Sequence, residues 1–182
     1  MTSASDDQKK TTAPIKRVVL TGFMGSGKST VGPLIAARLG WRFVDADNVI
    51  EDDAGLRIAE IFTRHGEAAF RDIEHTTIAR LVSGDGLVLA LGGGAIEHAE
   101  TRELLLTVEG TLVVHLEVEL GTTLARCKGT ESVRPILADR THLENRYARR
   151  LPLYRIAHVS ITADLMTPQE VAEAVMRTAR LV

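Results

Sequence analysis

A glycine-rich segment at residues 22–29 has the spacing of a loop that binds phosphate. It reads GFMGSGKS, which fits GxxxxGK(S/T), and it lies between the apolar run RVVLT and the helical run TVGPLIAARL. In this motif, backbone N–H groups converge on phosphate oxygens, the lysine reaches the outer phosphates and the hydroxyl ligates Mg²⁺. A chance match in the chain is on the order of 1%. The residues expected to hold a nucleoside triphosphate are Gly25, Ser26, Gly27, Lys28, Ser29 and Thr30.

Two carboxylates, Asp45 and Asp47, follow a second apolar run. If the extended geometry continues, both side chains point to the same side. One interpretation is that Asp45 holds Mg²⁺ through water while Asp47 orients or deprotonates a substrate hydroxyl. The alternative is that Asp47 only caps a helix that begins at Asn48. The spacing alone favours neither interpretation.

Arg71 is a candidate for binding an anion. Helical spacing places it at the border of the apolar face of the run GEAAFRDIEHTTIARLV, about 100° from Phe70. Glu67 and Glu74 stand at i−4 and i+3, so a surface ion pair is the simple alternative.

Two further arginines are candidates for the same role. In the run LENRYARRLPLY, helical spacing turns Arg150 toward the apolar face and Arg149 toward solvent. For Arg150 the alternative is a packed stem with a solvated head. The segment KGTESVRP lacks periodicity and predicts a mobile lid over about residues 128–138, from which Arg134 can reach the phosphates. An ordinary exposed arginine remains the alternative for Arg134.

The elements that must position these residues follow from five short apolar runs, at 17–21, 42–45, 87–91, 111–116 and 159–162. They alternate with segments of helical spacing, which favours a parallel sheet covered by helices on both faces. Ligands of such sheets bind beyond the carboxyl ends of the strands. The candidate residues follow predicted strands directly, so we expect one pocket to receive them.

The composition of the chain excludes several classes of protein. With 22 Lys and Arg against 24 Asp and Glu, the net charge of −2 gives no basic field for nucleic acid. The single cysteine, Cys127, excludes an internal disulfide and is compatible with a reducing cytosol. No apolar run is long enough for a secretory signal or a membrane span. The polar residues 1–14 predict a disordered tail, and residues 15–182 one domain. We expect a cytoplasmic monomer with no nucleic-acid or membrane partner.

Six segments in a characteristic order make the chain resemble the shikimate kinases over roughly residues 16–180. They are GFMGSGKST, FVDAD, IAEIFTRHGEAAFRDIE, LALGGGAI, SVRPIL and RRLPLY. The resemblance implies a P-loop kinase similar to nucleoside monophosphate kinases, an α/β fold with a three-layer αβα arrangement, a five-stranded parallel sheet and a mobile lid. It implies transfer of the γ-phosphoryl group of ATP to the 3-hydroxyl of shikimate, with Mg²⁺, in aromatic amino acid biosynthesis.

The resemblance also implies a role for each matching residue around the phosphates. Ser29 and Asp45 would bind Mg²⁺, and Lys28 and Arg134 would stabilise the transferred phosphoryl group. Family members often place an arginine against the adenine just before the lid. Here the sequence reads Arg126-Cys127-Lys128, so adenine stacking falls to Arg126 or is weaker.

On the acceptor side, the resemblance implies that Asp47 binds the shikimate hydroxyls and that Arg71 and Arg150 bind its carboxylate. The residues whose backbone would meet the ring oxygens are Gly92, Gly93 and Gly94. Two alternatives stay open: another small-metabolite kinase, such as a gluconate-kinase-like enzyme, and a non-catalytic ATP-binding module.

Overall fold

The computed structural model describes residues 14–128 and 140–178, and in these ranges strands alternate with helices. The strands are β1 (Arg17–Thr21), β2 (Arg42–Asp45), β3 (Leu87–Ala90), β4 (Thr111–Glu117) and β5 (Val159–Thr162). The α-helices are α1 (Lys28–Leu39), α2 (Ala46–Ala54), α3 (Ile58–Val82), α4 (Ala99–Thr107), α5 (Leu120–Cys127), α6 (Arg140–Tyr154) and α7 (Pro168–Thr178), and a short 3₁₀ helix spans Ala95–Glu97.

The five strands form one parallel sheet in the order β2-β3-β1-β4-β5. This confirms the predicted five-stranded parallel sheet. The strand ends differ from the prediction by one residue in two cases. Leu91 donates to the Leu20 carbonyl at 3.0 Å but the chain then turns away at Gly92, so β3 ends at Ala90. β4 extends to Glu117, which pairs with Thr162.

Side chains of the central strand alternate between two cores, one on each face of the sheet. Val18 and Leu20 of β1 belong to the core that includes residues of α1 and α7, whereas Val19 belongs to the core that includes residues of α3 and α4. All three are fully buried. Because successive strand residues point to opposite faces, an uninterrupted apolar strand requires cover on both sides. The structure therefore confirms the three-layer αβα arrangement.

The sheet register brings three strand ends to one edge. Leu20 of β1 pairs with Ala90 of β3, and Asp45 of β2 pairs with the same residue from the other side. The loop after β1, the start of α2 and the residues after β3 therefore leave the sheet side by side, as expected for a ligand site of a parallel sheet.

α3 is broken at Gly66, which has φ 80° and ψ 172°. This positive φ favours glycine, and it separates Ile58–Val82 into two helical segments. The second segment packs Ile78 and Leu81 against the sheet and carries Arg71. The break thus sets where Arg71 lies relative to the edge of the sheet.

The predicted tail at residues 1–14 lies outside the described residues apart from Pro14. The predicted lid at 128–138, with Arg134, lies outside them apart from Lys128. Within the described ranges, no helix is both long and apolar enough to span a bilayer.

Candidate active site

The phosphate-binding motif forms a loop between β1 and α1. Gly22, Gly25 and Gly27 have φ values of 146°, 71° and 96°, which residues with a Cβ rarely adopt. The Lys28 ammonium lies over the loop and donates to the carbonyl oxygens of Gly22 at 2.7 Å and Phe23 at 3.0 Å. The loop therefore carries a cation at the N-terminal end of α1, where backbone N–H groups have no partner within the helix.

A pair of oxygen donors lies beside this loop. Ser29 Oγ donates to Asp45 Oδ2 at 2.7 Å, so the hydroxyl at the start of α1 and the carboxylate at the end of β2 share one position. Hard oxygen ligands of this kind suit Mg²⁺, which usually takes one or two protein ligands together with phosphates and water. Within residues 14–128 and 140–178, no group of three or more His, Cys, Asp or Glu is arranged to hold a metal ion. The donor set thus fits a cation that is bound mainly through phosphate.

The capping alternative for Asp47 is wrong. α2 begins at Ala46, and its cap is Asp45, whose Oδ1 accepts from the backbone N–H of Asp47 at 3.1 Å. Asp47 lies in the first turn of α2, so the two carboxylates do not continue along one extended strand. The cap forms because the backbone of Asp45 is extended, with φ −100° and ψ 121°. This conformation places the carboxylate beside the first backbone N–H groups of α2, which have no partner within the helix.

Asp47 is available for chemistry because Asp45 takes the capping role. Burial raises the pKa of Asp47 to about 6, and the negative charge of Asp45 adds to the rise, whereas Lys28 opposes it. A carboxylate with this pKa is largely ionised at pH 7 and holds a proton more readily than an exposed aspartate. It can therefore accept a proton from a hydroxyl near neutral pH.

Arg71 lies at the same edge of the sheet, and the alternative of a surface ion pair describes only part of its surroundings. Nη1 donates to Glu74 Oε2 at 2.5 Å, and Nη2 contacts Glu67 Oε1 at 3.3 Å. The Glu67 side chain is 59% exposed, but that of Glu74 is 2% exposed and that of Arg71 13%. The arginine is therefore held by a buried carboxylate and not by a surface pair alone.

Glu74 is a site residue whose role the sequence did not show. Its Oε1 is buried and has no hydrogen-bond partner among the described residues. Burial raises the pKa of Glu74 to about 7, although Arg71 acts in the opposite direction. A Cβ on Gly92 would lie 2.9 Å from this Oε1 and 2.6 Å from Asp47 Oδ1. The glycine therefore lets two acidic side chains approach the backbone after β3.

Arg150 and Arg149 have the orientations that helical spacing predicts. The Arg150 side chain is 5% exposed and that of Arg149 is 65% exposed. Arg150 donates to Glu97 Oε2 through Nε at 2.9 Å and Nη2 at 2.6 Å, while Arg149 Nη2 lies 2.6 Å from Glu97 Oε1. The Glu97 carboxylate, which sequence reasoning missed, thus bridges both arginines.

The glycines after β3 let side chains approach the backbone closely. A Cβ on Gly94 would lie 2.1 Å from Arg71 Nη2, and one on Gly93 would lie 3.7 Å from Arg150 Nη1. The Tyr154 hydroxyl donates to the Gly93 carbonyl. Both guanidinium groups therefore lie beside the segment that the sequence assigned to the substrate.

One cavity of about 650 Å³ connects these groups. Its lining includes these candidate residues: Gly25, Ser26, Gly27, Lys28, Ser29, Thr30, Asp45, Asp47, Gly92, Gly93 and Arg150. Arg71 and Gly94 are not part of the lining, although Arg71 Nη2 lies 4.0 Å from Glu97 Oε2, the atom that Arg150 contacts. The structure therefore brings together most of the predicted site residues, with Arg71 just behind the wall.

Arg126 also lines the cavity. Its guanidinium donates to the carbonyl oxygens of Gly25, Ala163 and Asp164, at 3.3, 2.8 and 3.3 Å. These contacts join α5 to the phosphate loop and to the segment after β5. They hold Arg126 in place, and adenine stacking on Arg126 stays a prediction from the resemblance.

Comparisons with known proteins agree with this geometry. A family model described as shikimate kinase matches residues 24–180. The shikimate kinase of a Sulfurihydrogenibium species is 38% identical over 163 residues, which cover 89% of this chain and 96% of that protein. The shikimate kinase of Salinibacter ruber is 43% identical over 159 residues, which cover 81% and 77%.

Solved structures give the same result. The shikimate kinase of Acinetobacter baumannii in complex with shikimate superposes with a TM-score of 0.84 at 34% identity, covering 92% of this chain and 94% of that one. The Mycobacterium tuberculosis APS kinase, with a TM-score of 0.62 and 21% identity, shares the fold. The family model and the curated relatives each cover most of the sequence, and the chain belongs to the shikimate kinase family.

Proposed function

We propose that the chain transfers the γ-phosphoryl group of ATP to the 3-hydroxyl of shikimate and releases ADP and shikimate 3-phosphate. The observation that carries the proposal is the cavity of about 650 Å³ that the phosphate loop lines together with Asp47 and Arg150. The lining thus combines a cation for phosphate, a cation for a carboxylate and a carboxylate that can act as a base. Shikimate, a small carboxylic acid with several hydroxyls, matches that set of groups.

The phosphate end of the cavity performs binding and charge stabilisation. The six residues proposed to hold ATP are Gly25, Ser26, Gly27, Lys28, Ser29 and Thr30, and all line the cavity. Backbone N–H groups of the loop and the N-terminus of α1 favour the negative phosphates. Lys28 now donates to two loop carbonyls, and the same ammonium would contact the phosphates as negative charge moves between them.

Ser29 and Asp45 would hold the Mg²⁺ that accompanies ATP. Their oxygens are 2.7 Å apart at the loop, and the carboxylate keeps its second oxygen on the cap of α2. When bound, Mg²⁺ neutralises charge on the phosphates. The two contacts of Asp45 fix its orientation, because the hydrogen bond at the start of α2 prevents the carboxylate from turning away from Ser29.

The acceptor end positions the hydroxyl. Asp47 would accept the proton of the 3-hydroxyl, for which its pKa of about 6 suits it near neutral pH. Arg71 and Arg150 would bind the carboxylate, because guanidinium groups recognise carboxylates in a bidentate manner. The backbone that would meet the ring oxygens belongs to Gly92, Gly93 and Gly94.

The proposal retains three predictions that rest on the sequence. Arg134, which lies outside the described residues, would contact the transferred phosphoryl group from the lid at 128–138. Residues 15–182 would form one catalytic domain. The enzyme would act as a cytoplasmic monomer, a location that the lone Cys127 suits, since a reducing compartment keeps thiols free.

The direct test is ADP release by the purified chain with Mg²⁺ and ATP, without an acceptor and then with shikimate, gluconate or a panel of nucleoside monophosphates. We expect stimulation by shikimate alone. Lys28→Met is the control, and it should reduce release to background. Stimulation by gluconate would identify a different small-metabolite kinase, and ATP binding without stimulation by any acceptor would favour a binding module.

A further inference from the structure

The arginines proposed for the substrate carboxylate already hold a carboxylate of the protein. Glu97 Oε2 accepts from Arg150 Nε at 2.9 Å and from Nη2 at 2.6 Å, and it lies 4.0 Å from Arg71 Nη2. A substrate carboxylate that takes the Nε and Nη2 edge of Arg150 would need this same position. The Nε and Nη2 edge of Arg150 is one of the edges through which arginine takes a carboxylate in a bidentate manner.

Glu97 differs from the other acidic partner of these arginines in its freedom to move. The Glu74 side chain, which belongs to α3, is 2% exposed, so neighbouring atoms enclose it. The Glu97 side chain is 17% exposed and belongs to the last residue of a short 3₁₀ helix. A partly exposed side chain reorients at less cost than a fully buried one, because it loses fewer packing contacts.

Arg149 is a second partner of the Glu97 carboxylate. Arg149 Nη2 lies 2.6 Å from Oε1, and its side chain is 65% exposed. Partial burial raises the pKa of Glu97, but the hydrogen bonds from Arg150 and Arg149 outweigh it and lower that pKa overall. The side chain is therefore ionised near neutral pH and competes as an anion.

We infer that Glu97 is an internal competitor of the substrate: its carboxylate occupies Arg150 in the unliganded enzyme and moves toward Arg149 when the carboxylate of the acceptor binds. The inference rests on the proposed function and adds a residue that sets acceptor affinity. Each binding event exchanges one carboxylate for another on Arg150. The affinity for the acceptor is then reduced by the free energy of the Glu97 contact that is lost.

The first test compares Glu97→Gln with the unchanged protein. Loss of an ion pair between a buried arginine and a partly exposed glutamate corresponds to about a three- to tenfold change in affinity, so the KM for shikimate should fall by that factor with the KM for ATP unchanged. The dissociation constant of shikimate, measured by calorimetry without nucleotide, should fall equally. Glu100→Gln removes the same charge three residues along, from a side chain that is 76% exposed, and should change neither value.

A higher KM in Glu97→Gln would overturn the inference, because it would mean that Glu97 holds Arg150 in place for the substrate. An unchanged KM in a variant that is folded at the assay temperature would overturn it as well. If Glu97→Gln does not fold, Glu97→Asp keeps the charge beside Arg149 and withdraws the carboxylate by one methylene group. Glu97→Asp should also lower the KM for shikimate, and an unchanged or higher KM in this variant would overturn the inference.

The second test is a double-mutant cycle with Arg149→Gln. If Arg149 receives the displaced carboxylate, its loss should raise the KM for shikimate severalfold, and the rise should disappear in the Glu97→Gln background. An equal rise in both backgrounds would show that Arg149 acts on the substrate directly and would overturn its receiving role. If the unchanged protein neither binds nor phosphorylates shikimate, the proposed function fails. If it does both and the Glu97 variants bind no more tightly, the competition alone fails.

Discussion

Replacement of Asp47 by asparagine should separate catalysis from nucleotide binding. The substitution preserves the shape of the side chain and removes the base that takes the hydroxyl proton. Loss of a positioned general base typically lowers turnover by about 10²- to 10⁴-fold. Asp47 lies on α2, whereas the phosphate loop lies between β1 and α1, and Lys28 donates to the loop carbonyl oxygens of Gly22 and Phe23. We therefore expect turnover near background with the affinity for ATP retained.

The same variant should be more stable at neutral pH. The folded state raises the pKa of Asp47 from 3.8 to about 6, so folding disfavours the charged form. This rise corresponds to about 3 kcal/mol at full burial, and because the side chain lies at the cavity wall we expect about 1 to 2 kcal/mol. The penalty is absent below pH 3.8, where both states are protonated, and is complete above about pH 6.

Two measurements decide this prediction. Shikimate-dependent ADP release and ATP binding test the catalytic part. Thermal unfolding at pH 7 and at pH 4 tests the electrostatic part, where we expect Asp47→Asn to raise the melting temperature by roughly 2 to 8 °C at pH 7 and by little at pH 4. Unchanged turnover would refute the role of Asp47 as base. A stability gain of equal size at both pH values would refute the assignment of the gain to its charge.

Three further predictions concern the acceptor end. Arg71→Ala and Arg150→Ala should each raise the KM for shikimate tenfold or more, since each removes a charged hydrogen-bond partner of the carboxylate; unaltered KM values in steady-state kinetics would contradict the pair. The value of kcat/KM for shikimate should fall up to tenfold per pH unit below about pH 6, because protonated Asp47 cannot accept a proton, and a profile flat to pH 5 would contradict this. Gly94→Ala places a Cβ 2.1 Å from Arg71 Nη2 and should raise the KM, since the guanidinium must move away from its position against Glu74. Gly121→Ala, whose Cβ has open space, is the control, and equal KM values for the two variants would count against the steric argument.

Features set by near neighbours in sequence could be predicted. Each apolar run forms a strand within one residue of the expected ends. For β1 and β3 the reason is that a strand buried on both faces must be largely apolar. The side chains of Arg149 and Arg150 are 65% and 5% exposed, as the helical period of α6 requires. In both cases one periodicity determines the environment of a residue.

Features set by distant residues could not be predicted in this way. Glu97 and Arg150 are separated by 53 residues, and nothing in the spacing of either segment indicates that they meet. The cap of α2 also escaped prediction, since a hydrogen bond at Asp45 decides between starts of the helix at Ala46 and at Asn48. The glutamate at i+3 from Arg71 was visible, but its burial depends on how α3 packs against the residues after β3.

If Glu97 reduces the affinity for the acceptor as we infer, its carboxylate also stabilises the site when no acceptor is bound. Partial burial lowers the pKa of Arg146, and nearby Arg150 adds to the effect, which shows how closely the guanidinium groups of α6 crowd. Without substrate, Glu97 offsets this repulsion through its contacts with Arg149 and Arg150. A variant that loses Glu97 should therefore bind the acceptor more tightly and unfold more easily. Added shikimate should raise the melting temperature of this variant by more than it raises that of the unchanged protein. Stability and acceptor affinity oppose each other because the same position on Arg150 binds either the Glu97 carboxylate or the carboxylate of the substrate.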